Sequence, residues 1–180
     1  MAFSAYIKID GIEGQSMNSD HKDWIDVTSF TCGANQETKK GSSMQNAGDG
    51  TMAPLVFTHG LDKATAKLVQ ACMQGEPIAS AEFHVCAMIG GKRVKIYEVK
   101  FKNVTIVETK LTTVAKGQNV ATDDRASLYT ASQSENKALE PVEIVSLAAN
   151  GIEWNFTSFG PDGSALGATP GSWKIGQGTT

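Results

Sequence analysis

The chain has 180 residues, 41% of them hydrophobic, with a formal net charge of −3; this suits one domain with a sizeable core and is too ordinary a composition for a disordered segment. Its mildly acidic balance lacks the basic excess or basic stripe of a nucleic-acid binder. No apolar run approaches the roughly 18 to 20 residues that cross a bilayer, and the start MAFSAYIKIDG lacks the basic-then-apolar layout of a signal peptide.

At the N-terminus Phe3, Ala5, Ile7 and Ile9 alternate with Ser4, Tyr6, Lys8 and Asp10, the period of a half-buried strand. GIEGQS is a turn, and a second strand runs from about Trp24 to Cys32 with apolar residues on both faces. Residues 35–54, NQETKKGSSMQNAGDGTMAP, read as a long polar loop, a length that compact domains keep for contact or leave disordered. PLVFTH returns to strand. DKATAKLVQACMQGEP is the one convincing helix, at about residues 62–74. Asp62 is a suitable N-cap, Leu61, Ala64, Leu68 and Cys72 share a face, and Gly75 with Pro77 ends it.

IASAEFHVCAMI follows, with Ala79, Ala81, Phe83, Val85, Ala87 and Ile89 on one side, and then KRVKIYEVKFKNVTIVET. Between the two, Gly90 and Gly91 form a two-residue hairpin turn in which both residues tolerate positive φ. Residues 112–139 show no sustained period and read as a polar insertion. VEIVSLAA, Asn150-Gly151 and IEWNFTSF read as a hairpin about a type I′ turn. PDG makes a further turn, and GSWKI a short last strand in a Gly/Ser-rich C-terminal tail. The sum is a single domain of mostly β structure, an antiparallel β-barrel or sandwich of about eight strands with one flanking helix.

Chemistry is sparse in this pattern. There is no Gly-x-Ser-x-Gly elbow, no phosphate-cradling loop and no His-Glu-x-x-His. His21, His59 and His84 are scattered, without a second histidine at ligand spacing. Asp20, His21, Lys22 and Asp23 form the strongest catalytic cluster, yet neighbours at a strand lead-in point in different directions and are normally solvated. Cys32, Cys72 and Cys86, odd in number and widely spaced, suit buried core thiols better than a disulfide framework or a zinc site. The expectation is no catalytic residue, no metal and no cofactor: a building part rather than an enzyme.

Five motifs in order then carry a resemblance: YIKIDGIEGQS, HKDWIDV with SF following, DKATAKLVQAC before GEPI, PVEIVSL, and IEWNF. Each alone is weak; together, from Tyr6 to Phe156, they resemble the hemolysin-coregulated protein (Hcp) family of bacterial type VI secretion systems. The resemblance implies a small β-barrel with one flanking helix, closing into homo-hexameric rings. Such rings stack into an inner tube that a contractile sheath drives out beneath a spike, with effectors held in the lumen. It also implies synthesis in the bacterial cytoplasm and export through the type VI system without a cleaved signal peptide, with no nucleic-acid partner and no membrane insertion.

By the same resemblance the ring contact falls in the loop after the second strand, at Lys39, Lys40, Gly41, Met44 and Gln45. Sheet alternation sets Ser29 and Thr31 on a small hydroxylated face that suits a wet lumen wall. The insertion at 112–139 is longer than the family pattern and has two placements, toward the sheath or capping one end of a ring. The alternative to the tube reading is a monomeric or dimeric β-sandwich ligand-binding protein, with Trp24, Trp154 and Trp173 as its carbohydrate-site candidates.

Overall fold

Period-two alternation carries most of the chain into strands, and the remaining question is which strand takes which partner. The computed structural model describes residues 3–38, 47–115 and 139–174. Its strands are β1 (Phe3–Ile9), β2 (Ile25–Val27), β3 (Ser29–Thr38), β4 (Ala47–Gly60), β5 (Ile78–Ile89), β6 (Lys92–Ala115), β7 (Leu139–Phe159) and β8 (Ala165–Lys174), with one helix, α1 (Thr65–Gln74), between β4 and β5. The order is β2-β1-β5-β6-β7-β4-β3, with β8 also on β7, and each of these neighbouring pairs is antiparallel.

β2 and β3 stand at opposite ends of that order, yet Thr28 alone separates them. The chain therefore draws the two ends of the sheet together, and the Thr28 N–H donates to Thr58 O at 2.8 Å. No ladder joins the two ends among the described residues; they meet through the chain itself and this hydrogen bond. The mostly β, antiparallel architecture with one helix is the one expected from the sequence.

Alternation then sorts the side chains. β4 and β7 face each other through three inward rungs, Leu55 with Leu147, Phe57 with Val145, and His59 with Glu143. The first two belong to the apolar core, with Ile7, Ile25, Phe83 and Phe101 from other strands and Ala64 and Leu68 from the helix segment. The third rung is polar: His59 Nε2 donates to Glu143 Oε2 at 3.0 Å, both side chains are 1% exposed, and Asp62 Oδ1 lies 3.8 Å from His59 Nδ1. This rung ends the barrel where β4 hands over to the helix.

The structure departs from the sequence expectations at several places. The Asn150-Gly151 pair makes no turn; β7 runs straight through it, with Lys102 opposite Gly151 and Val104 opposite Ala149. A local turn preference is outweighed by a long β6 that offers partners on both sides of the dipeptide. Asn103, across from it, takes φ 49°, a left-handed value that asparagine tolerates. By contrast Gly90 and Gly91, at φ 56° and 74°, form the expected hairpin.

The presumed loop at 35–54 is largely strand, since Gln36 pairs with Gly50 and Thr38 with Ala47. The insertion at 112–139 likewise loses its ends to the ladder, where Thr112 pairs with Val142 and Ala115 with Leu139. The C-terminal tail contributes β8, longer than the short strand expected. Glycine, serine and polar runs read as loop only until a neighbouring strand supplies hydrogen bonds.

The helix begins at Thr65, three residues later than expected, and Asp62 acts ahead of it by accepting the Ala64 N–H at 2.8 Å. Leu61 falls outside the helix and is exposed. Gly75 closes it in a left-handed conformation, φ 64°, with its N–H on Ala71 O. Of the cysteines expected in the core only Cys86 is buried; Cys72 is half-buried and Cys32 exposed. At Cys32 the β3–β4 register slips by one, and both Pro54 and Leu55 stand against it. Proline has no N–H for the ladder, so a bulge there is its natural position.

The buried His59–Glu143 rung gives a direct test. Glu143→Ala strips a buried imidazole of its acceptor and should cost about 1–3 kcal/mol of stability in urea unfolding followed by fluorescence.

Candidate functional site

Two regions of the surface are organised beyond what packing requires. The first lies on the outer side of β1, β5 and β6. Across these strands Tyr6 is opposite His84, and His84 opposite Glu98; one rung along, Glu82 is opposite Lys100. These residues share the face that alternation turns away from the core. Residues 13–24 fold back to cover it.

That cover is held by its own backbone. The Gly14 N–H donates to Asp23 O at 2.8 Å, Ser16 N–H to Trp24 O at 2.9 Å, and Asp23 N–H to Ser16 O at 3.1 Å. Asp23 takes φ 62° to make the bend. A Cβ at Gly14 would run into the backbone carbonyl of Trp24, so only glycine fits the crossing. Lys63 Nζ fastens the cover to the helix side through Glu13 at 3.1 Å and Asp23 at 3.2 Å.

The fold thereby drives His21 inward. Its ring stacks on Tyr6 at 4.2 Å and meets Trp24 edge-on at 4.8 Å, while His21 and His84 join through Nε2 and Nδ1 at 2.8 Å. Trp24 lies 4.6 Å from the His84 ring. His84 Nε2 points at Glu82 Oε1 and Glu98 Oε1, each 3.5 Å away. Lys95 Nζ holds Glu98 Oε2 at 3.0 Å, and Lys100 Nζ spans the two carboxylates at 3.2 and 3.5 Å.

Electrostatics follow from that burial. Desolvation pushes His84 down to about 4, helped by the Lys95 charge and by His21, against the opposite pull of Glu98. Desolvation also lowers His21, ahead of the opposing pull of Asp20. For Glu98 burial pushes upward, but the hydrogen bonds it accepts from Lys95 and Lys100 outweigh it and hold the carboxyl at about 2. At neutral pH the face therefore combines uncharged imidazoles with an ionised Glu98. Glu82, His84 and Glu98 are the residues whose side chains could together hold a metal ion among those described.

The second region is the arm made by β3 and β4. Gly33, Ala34, Asn35 and Gln36 are all exposed, and β3 pairs with β4 alone among the described strands. Ser29 and Thr31 share the side opposite Phe30, whose ring packs against the core. Ser29 Oγ and Thr58 Oγ1 are hydrogen-bonded at 2.6 Å, and Thr31 is exposed across from Val56. Lys39, Lys40, Gly41, Met44 and Gln45, expected at a subunit contact, lie outside the described residues.

Sequence reasoning treated His21 as solvated and His84 as isolated; the structure buries both and joins them. Sixty-three positions separate the two histidines, so no local spacing announces the pair. One signal was available: Glu82-Phe83-His84 alternates, which sets a carboxylate and an imidazole on one side of a strand. Glu98 entered only through the β5–β6 register, which the Gly90-Gly91 turn starts and a bulge at Ile96 shifts by one before it reaches His84.

Comparison with known proteins places this geometry among relatives. A family model described as type VI secretion system effector, Hcp, matches residues 6–156. Among solved structures, one of a type six secretion system protein is 28% identical, with a TM-score of 0.76 over 97% of this chain and 96% of that one. Hcp1 from Salmonella typhimurium is 20% identical, with a TM-score of 0.67 over 97% and 96% of the two chains. The secreted protein Hcp3 from Pseudomonas aeruginosa is 18% identical, with a TM-score of 0.62 over 97% and 99%. At such identities the last two speak for the fold. Curated protein sequences give no significant match. No helix among the described residues is long and apolar enough to cross a membrane.

The crossing at Gly14 controls how the cover sits. Gly14→Ala should destabilise the protein by about 1–3 kcal/mol, and hydrogen–deuterium exchange should show faster exchange at the Gly14 region, Ser16 and Trp24 than in the barrel strands.

Proposed function

Since the chain belongs to the type VI secretion system Hcp family, we propose that it is a structural subunit of the secretion inner tube. In this reading six copies close into a ring, rings stack, and effectors occupy the lumen while the assembly is exported by the type VI machinery. The family match across residues 6–156 carries the reading. The exposed β3–β4 arm supports it, because β3 ends the strand order and a long edge strand is a ready partner for another chain.

A closed ring of identical subunits needs a heterologous contact, one patch meeting a different patch on the neighbour. We assign the arm, together with Lys39, Lys40, Gly41, Met44 and Gln45 from the residues between its two strands in the chain, to one side of that contact. Thr31 we assign to the lumen wall, with Ser29 beside it held in place by Thr58. Spike and sheath components are the other partners of such a tube, and the protein acts by assembly rather than by turnover. Synthesis in this reading is cytoplasmic, and export proceeds through the type VI machinery.

Native mass decides the matter first. Light scattering on a sizing column should give about six times the 19.1 kDa chain mass, with rings in negative-stain images. A monomer at high and low concentration alike would overturn the ring and favour the β-sandwich ligand-binding alternative. Replacing residues 39–46 with Asn-Gly, a two-residue turn that keeps the β3–β4 ladder, should yield folded monomers; rings from that variant would remove residues 39–46 from the interface. Thr31→Lys should leave rings intact and lower the effector that co-purifies with them.

A further inference from the structure

Hydrogen bonds on the histidine–carboxylate face settle where its protons lie. Asn18 Oδ1 accepts the Asp20 backbone N–H at 3.0 Å, which identifies that atom as the carbonyl oxygen of the amide. The same oxygen lies 3.3 Å from His21 Nδ1. A carbonyl oxygen only accepts, so His21 carries its proton on Nδ1 and offers a lone pair at Nε2. His84 Nδ1, 2.8 Å from that lone pair, is then the donor. An uncharged imidazole has one proton to place, and these contacts place it on Nδ1 in both rings. The proton of His84 is used up on Nδ1, and its Nε2 is a bare lone pair.

This lone pair is aimed at two further acceptors. Glu82 Oε1 and Glu98 Oε1 each stand 3.5 Å from Nε2, too far and too poorly matched to bond it. Nε2 has no hydrogen-bond partner although His84 is only 7% exposed. One nitrogen and two oxygens thus converge within 4.8 Å of one another, with no proton on the nitrogen to share. The Lys100 ammonium offsets the two oxygens but leaves Nε2 without a partner, a cost that a cation held by all three atoms would remove. The spacing fits one: a tetrahedral ion with bonds of about 2.1 Å sets its ligands about 3.4 Å apart.

We propose that Glu82, His84 and Glu98 form a binding site for a first-row transition-metal dication of the Zn2+ type, with Asn18 and His21 setting the tautomer and aim of His84. Imidazole nitrogen with carboxylate oxygens is the donor set such ions accept. Lys95 occupies Glu98 Oε2 at 3.0 Å and leaves Oε1 for the ion. Lys100 is the competitor. Its ammonium bridges the same Oε1 atoms, but the side chain is 52% exposed and free to swing into solvent. A bound ion would link β5 to β6 beneath the 13–24 cover, and by mass action would raise the melting temperature.

The test uses the untagged full-length protein, stripped with a chelator, then titrated with Zn2+ by calorimetry and with Co2+ by visible absorption. Wild type should take up one ion per chain and melt at higher temperature with Zn2+ than without. Glu82→Gln and Glu98→Gln should each weaken uptake by about tenfold or more, and Lys100→Met should tighten it. His84→Ala removes a buried ring and endangers the fold, so the near-isosteric carboxamide variants carry the decision, each checked for a cooperative melt. No saturable uptake by wild type, or uptake that survives unchanged in the Glu82→Gln/Glu98→Gln double variant, would overturn the site. Weaker binding by Lys100→Met would place the ion elsewhere.

Discussion

The β6–β7 ladder runs from Tyr97 against Phe156 to Ala115 against Leu139, and every other strand takes its place from it. On one half of β7 the free side accepts β4; on the other half it accepts β8. On the far side of β6 the Gly90-Gly91 turn returns the chain as β5, which in turn carries β1. Were Asn150-Gly151 a hairpin, β7 would fold on itself and neither β4 nor β8 would have its partner. Long-range pairing here outweighs a local turn preference worth only a fraction of the ladder it would break.

Two faces follow from that one ladder. Inward-pointing residues such as Phe83, Phe101, Phe57 and Leu147 make the core, and their removal from water supplies most of the stabilisation. Outward-pointing residues of the same strands would ordinarily be solvated. On β1, β5 and β6 they are instead covered by residues 13–24, which turns an ordinary outer wall into a partly buried polar site. The cover depends on a glycine at its crossing and on ion pairs from Lys63 at its rim, two inexpensive devices with a large local effect.

Barrel and assembly surface make opposite demands on strand edges. Inside the subunit the chain itself joins β2 to β3 and so draws the sheet ends together, whereas β3 and β8 each keep one side without a strand partner among the described residues. A monomeric protein would blunt such edges. The ring proposed above would use them, because a subunit that pairs with its neighbour through a strand needs an open edge.

Fold class was legible in the sequence because it rests on local periodicity: alternation at Phe3–Ile9 and Ile78–Ile89, the helical spacing of Ala64 and Leu68, and the paired glycines of the one tight hairpin. Family membership was legible too, since five short motifs in order are a linear property. The course of β7 was not, because whether Asn150-Gly151 turns depends on how far β6 extends as a partner. Nor was strand content in residues 35–38, 47–54 and 112–115, whose polar composition says loop and whose neighbours' hydrogen bonds say sheet. His21 and His84 meet only after β1, β2 and β5 have paired and the intervening segment has folded across them. Sequence alone determined which residues alternate; tertiary structure decided which of them face one another, because cross-strand register is set by contacts between positions far apart in the chain.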